Sequence, residues 1–143
     1  MSGDPRDEPA HASQRIVPYL MYDDAPAAID FLVRAFGFEE RFRVPMPDGR
    51  VGHAEVALEG GIVMLASAWK ETGMVSPREL PGVHGQVHCT VDDVDAHFAR
   101  ARAAGATVVG EPADAYGSRH YRAVDPEGHR WIFAGPARDA GAP

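Results

Sequence analysis

Arg15-Ile-Val-Pro-Tyr-Leu-Met-Tyr-Asp-Asp24 and Gly85-Gln-Val-His-Cys-Thr-Val-Asp-Asp93 are the two stretches on which the fold turns. Each is an apolar, β-rich run stopped by paired aspartates. Asp24 suits a helix N-cap, and Pro26 falls in the first turn, where its missing N–H costs nothing. Ile29, Leu32, Val33 and Phe36 recur at helical spacing, and Gly37 stands where a left-handed C-terminal cap belongs. Three strand candidates follow, at 39–44, 51–58 and 62–66, separated by Pro45-Met-Pro-Asp-Gly49 and Glu59-Gly-Gly61. After Asp93 the same order returns. Val94, His97, Phe98 and Ala101 mark a helix closed by Gly105, and strands are predicted at 107–109, 120–124 and 130–134, with Asp125-Pro-Glu-Gly128 as the last turn.

Laid over one another, the halves bring Asp24 onto Asp93, Gly37 onto Gly105 and Glu59-Gly60 onto Glu127-Gly128. Met64 then pairs with Ile132, and Ala66 with Ala134. The reading is an α+β fold of two tandem βαβββ modules, about 15–68 and 84–134, forming a curved mixed sheet around a cleft. One module cannot cover both faces of its own sheet: helices take one, and the other is left to line the cleft. Residues 1–14 read as a disordered lead-in, 15–134 as a single domain, and 135–143 as a flexible tail.

Composition narrows the class. The 143 residues are 45% hydrophobic, with net charge −7 and a pI near 5.4, so a packed core is expected and a nucleic-acid partner is not. No apolar run approaches membrane-spanning length, and no signal-peptide core stands at the start, so neither a membrane partner nor export is expected. The single cysteine, Cys89, precludes a disulfide within the chain and suits the reducing cytoplasm. It reads as a small buried hydrophobe.

Val91-Asp-Asp-Val-Asp-Ala96, Ala103-Ala-Gly-Ala106 and Asp125-Pro-Glu-Gly-His-Arg-Trp131 resemble the second-half hallmarks of the vicinal oxygen chelate superfamily, the glyoxalase, bleomycin-resistance and dioxygenase proteins. Pro47-Asp-Gly-Arg-Val-Gly-His-Ala-Glu55 and Tyr116-Gly-Ser-Arg119 resemble its PhnB-like branch. The resemblance covers about residues 15–134 and implies the paired-module fold. It implies much less about reaction, because the superfamily holds lyases, isomerases, dioxygenases and non-catalytic drug-binding proteins. It also implies where metal ligands would stand: Val17 and Gln86 on the first strand of each module, Met64 and Ile132 on the last. None of these carries an imidazole or carboxylate, so no metal is expected at the family's site. A divalent metal relocated to His88 with His53 or His120 and Glu55 is the alternative.

The cleft is expected to be lined by Val17, Tyr19, Met21, Ile62, Met64, Gln86, His88, Arg119, Tyr121 and Ile132, with His88, His53 and Glu55 as catalytic candidates. Met would supply compliance and Tyr a polar tip. Arg119 could clamp an anionic ligand or pair with Asp114 or Asp125 to hold its loop. Trp131 alternates with Ile132 and should face the helices, and Trp69 is a linker anchor, a rim residue or a dimer contact. The resulting expectation is a metal-free protein that sequesters an apolar or aromatic small molecule, with a homodimer implied by resemblance. The alternative is a lyase, isomerase or dioxygenase using a relocated metal or a histidine general base, the second option resting on His88 or on the His53/Glu55 pair.

Overall fold

The computed structural model describes residues 13–138; most of the expected lead-in (1–14) and part of the expected tail (135–143) lie outside the described residues. The first module runs β1 (Tyr19–Tyr22), α1 (Ala25–Phe36), β2 (Glu39–Pro45), β3 (Val51–Leu58) and β4 (Gly61–Ser67). The second runs β5 (Val87–Thr90), α2 (Val94–Ala103), β6 (Thr107–Ala115), β7 (Ser118–Val124) and β8 (Arg130–Pro136). Backbone pairing makes two four-stranded sheets of matching order, β1-β4-β3-β2 and β5-β8-β7-β6, each with one parallel pair. No described helix is long and apolar enough to cross a membrane.

The caps form as the residue types dictate. Asp24 accepts from the Ala27 N–H and Asp93 from the Ala96 N–H, while Gly37 takes a left-handed φ of 79° and returns its N–H to Leu32 O. β1 starts later than its apolar run, at Tyr19 and not Arg15. Pro18 has no N–H to give, so the parallel ladder begins with its carbonyl accepting from Met64 N. Below that point the Gln14 side chain replaces the missing strand: its amide oxygen accepts from Ile62 N at 2.8 Å and its NH₂ donates to Ile62 O at 3.0 Å. Gln14 therefore belongs to the ordered domain.

The two modules share one apolar core on their helix sides. Phe36 and Phe38 from the first pack on Trp131 and Phe133 from the second. The C-terminal ends of the helices cap each other: Arg100 donates to Val33 O and Arg34 O, and Arg34 donates to Ala104 O. Cations at helix C-termini satisfy carbonyls that the helix leaves without partners.

A buried clasp closes one side of this junction. Glu127, in the β7–β8 turn, accepts from the backbone N–H of Asp23 (2.6 Å) and Asp24 (2.9 Å) and from Ser76 Oγ (2.6 Å). Asp125 accepts from Tyr22 Oη at 2.6 Å, from Trp131 Nε1 at 3.1 Å and from the N–H groups of Glu127 and His129. Both acids are almost fully buried, so their hydrogen bonds compensate the cost of taking a carboxylate out of water. Burial and the Asp125 charge push the Tyr22 phenol pKa well up, which keeps it a donor.

His97 bridges the modules and is half-buried. Its Nε2 donates to Phe36 O at 2.7 Å, so in the neutral ring Nδ1 accepts from Tyr121 Oη. Burial lowers its pKa; the Phe36 bond opposes that shift and Arg100 adds to it. β8 reaches two residues past the expected strand because Gly135 lets the chain pass β5: a Cβ there would lie 2.3 Å from Val91 O.

Two outcomes follow from this packing. Gly135→Ala is expected to cost about 1–3 kcal/mol of stability in chemical denaturation, since the obstacle is backbone. A His with a lowered folded pKa stabilises fully above its ordinary value near 6.5 and loses that contribution as pH falls below it. The stability gap between wild type and His97→Gln should therefore be widest near neutrality and narrow on acidification, in denaturant titrations at several pH values.

Candidate functional site

Strand alternation decides which side chains escape the core. In β1, Leu20 and Tyr22 turn towards the helices, leaving Tyr19 and Met21 on the opposite, outer face. Register carries that face across the first sheet: Tyr19 stands opposite Met64 and Met21 opposite Ala66, while Glu55 flanks Met64 on the other side. His53, Ile62, Phe42 and Val44 share it. In the second sheet the outer face holds His88 opposite Ile132, Thr90 opposite Ala134, and then Arg122 and His120 on β7. Met64 and Ile132 thus occupy equivalent places, as the internal repeat predicts. So do Tyr19 and His88, His53 and His120, and Glu55 and Arg122.

Two expected cleft residues lie elsewhere. On β7 the odd positions 119, 121 and 123 face the helices. Tyr121 is buried against His97, Phe98 and Phe133, and burial drives its pKa up. Arg119 forks onto Asp95 of α2 (3.0 Å) and Asp114 (3.3 Å), the structural role weighed for it with Asp95 added. The outward residues of that strand, His120 and Arg122, are the ones the sequence reading left off the cleft. Val17 lies just ahead of β1 and is half-buried, and Trp131 faces the helices as its alternation predicts. Cys89 packs against the core, and burial pushes its thiol pKa up to about 12, out of nucleophile range.

The edges of β1 and β5 flank a groove of about 510 Å³. Tyr19, Met21, Gln86 and His88 line it from the two modules, and the linker roofs it with Met74, Leu80 and Val83. Trp69 anchors that linker, pairing with Met74 through the backbone and lying under the Arg50 guanidinium at 4.5 Å. His129 and Arg130 complete the wall; the His129 ring is fixed by Nε2 donating to Met21 O at 2.8 Å.

On the first outer face, three polar groups form a chain. Tyr19 Oη lies 2.8 Å from His53 Nδ1, and His53 Nε2 lies 3.0 Å from Glu55 Oε2. Glu55 is fully buried and Tyr19 is 43% exposed. His53 and Glu55 were candidates from spacing alone; Tyr19 as their third member was missed, because β1 and β3 are separated in the sheet by β4 and only register brings them together.

The superfamily's metal can be tested against these residues. Val17, Met64, Gln86 and Ile132 offer two aliphatic chains, a thioether and an amide, a donor set that does not fit a hard or borderline divalent ion. The relocated set does not assemble either. His53 and Glu55 touch, but His88 and His120 stand on the other module, and among the described residues no three His, Cys, Asp or Glu side chains gather to hold a metal.

Comparison with known proteins agrees with this architecture. The model of the Glyoxalase/Bleomycin resistance protein/Dioxygenase superfamily matches residues 10–133. An uncharacterized protein of Mycobacterium bovis, Mb0911c, is 43% identical over 126 residues, covering 85% of this chain and 83% of its own. The crystal structure of TioX from Micromonospora sp. ML1 superposes with a TM-score of 0.68 at 38% identity, covering 87% of this chain and 99% of that one. The fosfomycin resistance protein FosX of Listeria monocytogenes, solved with Mn(II) and sulfate, shares the fold at a TM-score of 0.65 and 15% identity, over 90% of this chain and 94% of its own. The chain belongs to the Glyoxalase/Bleomycin resistance protein/Dioxygenase superfamily.

Proposed function

We propose that the chain is a metal-free small-molecule-binding protein that sequesters an apolar or aromatic compound. The observation that carries this reading is the groove between β1 and β5: about 510 Å³, with Tyr19, Met21, Met74, Leu80 and Val83 as its apolar wall and His84, Gln86, His88, His129 and Arg130 as its polar groups. That volume and lining fall within the range of pockets that enclose drug-sized ligands. The aliphatic, thioether and amide occupants of the family's ligand positions support the metal-free part. Pro47–Glu55 and Tyr116–Arg119 keep the PhnB-like branch as our finer assignment, and Cys89 suits a cytoplasmic setting.

A homodimer is part of the proposal. Both helices pack into one internal core, and on the outer faces Tyr19, Val44, His88 and Arg122 stand exposed. A second copy can set the first module of one chain against the second module of the other. The Tyr19–His53–Glu55 chain favours a second reading, metal-free proton-transfer catalysis, with His88 as the other candidate base.

A panel of aromatic and amphipathic compounds, screened by thermal shift and followed by mass spectrometry, separates the readings. Binding is expected to be saturable, with stabilisation of about 2.7 kcal/mol at a hundredfold excess over Kd. The binding species should sediment as a dimer, and the compounds should be recovered intact. Product formation would support the catalytic reading, and a panel without one binder would defeat the sequestration reading.

A further inference from the structure

The groove between β1 and β5 carries charge of one sign. The chain has 21 Asp and Glu against 14 Lys and Arg, yet among the described residues no carboxylate lines the groove. Its polar groups are His84, Gln86, His88, His129 and Arg130. Arg130 sets the sign, because a guanidinium stays protonated at every working pH and only donates.

Arg130 is also uncommitted. Most described arginines find partners inside the chain: Arg43 with Glu40, Arg50 with Asp48, Arg119 with Asp95 and Asp114, Arg100 on helix carbonyls. Arg130 has no hydrogen bond or ion pair among the described residues. The acids nearest it in sequence, Asp125 and Glu127, are buried and already hold Tyr22, Ser76 and backbone N–H groups. Trp131 and Phe133 are fully buried towards the helices, so strand alternation turns Arg130 to the outer face with Ile132. Gln86 and Arg130 each stand one residue ahead of the first pair in the β5–β8 ladder, Val87 with Trp131. An amide position therefore neighbours the guanidinium across the two strands.

Resting on the small-molecule reading above, we infer that the groove takes an aromatic carboxylate. The ring lies against Met21, Met74 and Leu80, and the carboxylate is forked onto Arg130, whose planar donors match its two oxygens. The Gln86 NH₂ is a further donor to the same head group. His129 gives Nε2 to Met21 O and serves as wall. A cationic ligand is disfavoured on the same grounds, since it would meet a guanidinium and no balancing carboxylate.

Titration calorimetry on the full-length protein at neutral pH compares 2-naphthoate, 2-naphthamide and 2-naphthylmethylammonium, one ring system with an anionic, a neutral and a cationic head. Wild type is expected to bind the naphthoate about tenfold more tightly than the amide, the equivalent of one charge-assisted bond. The ammonium should bind more weakly than either. Arg130→Gln should bring the naphthoate to within about twofold of the amide. Arg102→Gln makes the same change in net charge on α2, where Arg102 pairs with Glu111, and should leave the preference intact. Equal affinity of wild type for naphthoate and amide, or a preference that survives Arg130→Gln, overturns the inference while leaving the groove a binding site. No preference together with a dimer that Arg130→Gln splits in sedimentation would assign the guanidinium to a second copy, and also overturns it. If none of the three probes binds, the small-molecule reading of the groove fails and the inference falls with it.

Discussion

The carboxylates of Asp125 and Glu127 hold the two modules in one body. Each is buried at the inter-module junction, where removing water from a charge is unfavourable unless donors replace it. Beside donors from their own turn and strand, they receive donors from the opposite module and the linker: Tyr22 Oη, the N–H groups of Asp23 and Asp24, and Ser76 Oγ. The bonds to Asp23 and Asp24 tie the second module to the start of α1, where a negative charge is favoured. The pseudo-twofold partner of Glu127 is Glu59, which is exposed, so the clasp exists on one side of the molecule only.

That constraint determines what remains for ligands. With α1 and α2 packed into a common core, the apolar demand of both modules is met on their helix sides. The outer faces are released to carry chemistry, and they have diverged. Equivalent positions hold Tyr19, His53 and Glu55 on one face and His88, His120 and Arg122 on the other. On one face Tyr19, His53 and Glu55 are joined by hydrogen bonds. The other carries two imidazoles and a guanidinium, with His88 and Arg122 exposed. The first face brings one imidazole and one carboxylate together, His53 and Glu55, and among the described residues no group of three His, Cys, Asp or Glu gathers to hold a metal.

Much of the fold was legible in the residues, for physical reasons. Aspartate caps, left-handed glycine and strand alternation are local properties, so Asp24, Asp93, Gly37 and the pairing of Met64 with Ile132 could be read directly. The start of β1 was misplaced because apolar character says nothing about whether Pro18 can donate to a ladder. Arg119 and Tyr121 were assigned to the cleft because β7 parity depends on which residue packs under α2, a tertiary fact. The clasp and the Tyr19–His53 contact were invisible for the same reason: each joins residues remote in sequence, 103 positions for Tyr22 and Asp125 and 34 for Tyr19 and His53. Strand register, more than composition, determined the candidate site.

The central claim is that this fold keeps the superfamily's cleft while its side chains no longer suit the metal. Elemental analysis of purified, tag-free protein, before and after incubation with Zn²⁺, Ni²⁺, Mn²⁺ and Fe²⁺ and exhaustive dialysis, tests it most directly. The account predicts no retained metal near one equivalent per chain under any of these conditions. Near-stoichiometric metal that His88→Ala abolishes would contradict it and move the chemistry to a relocated centre on the second module.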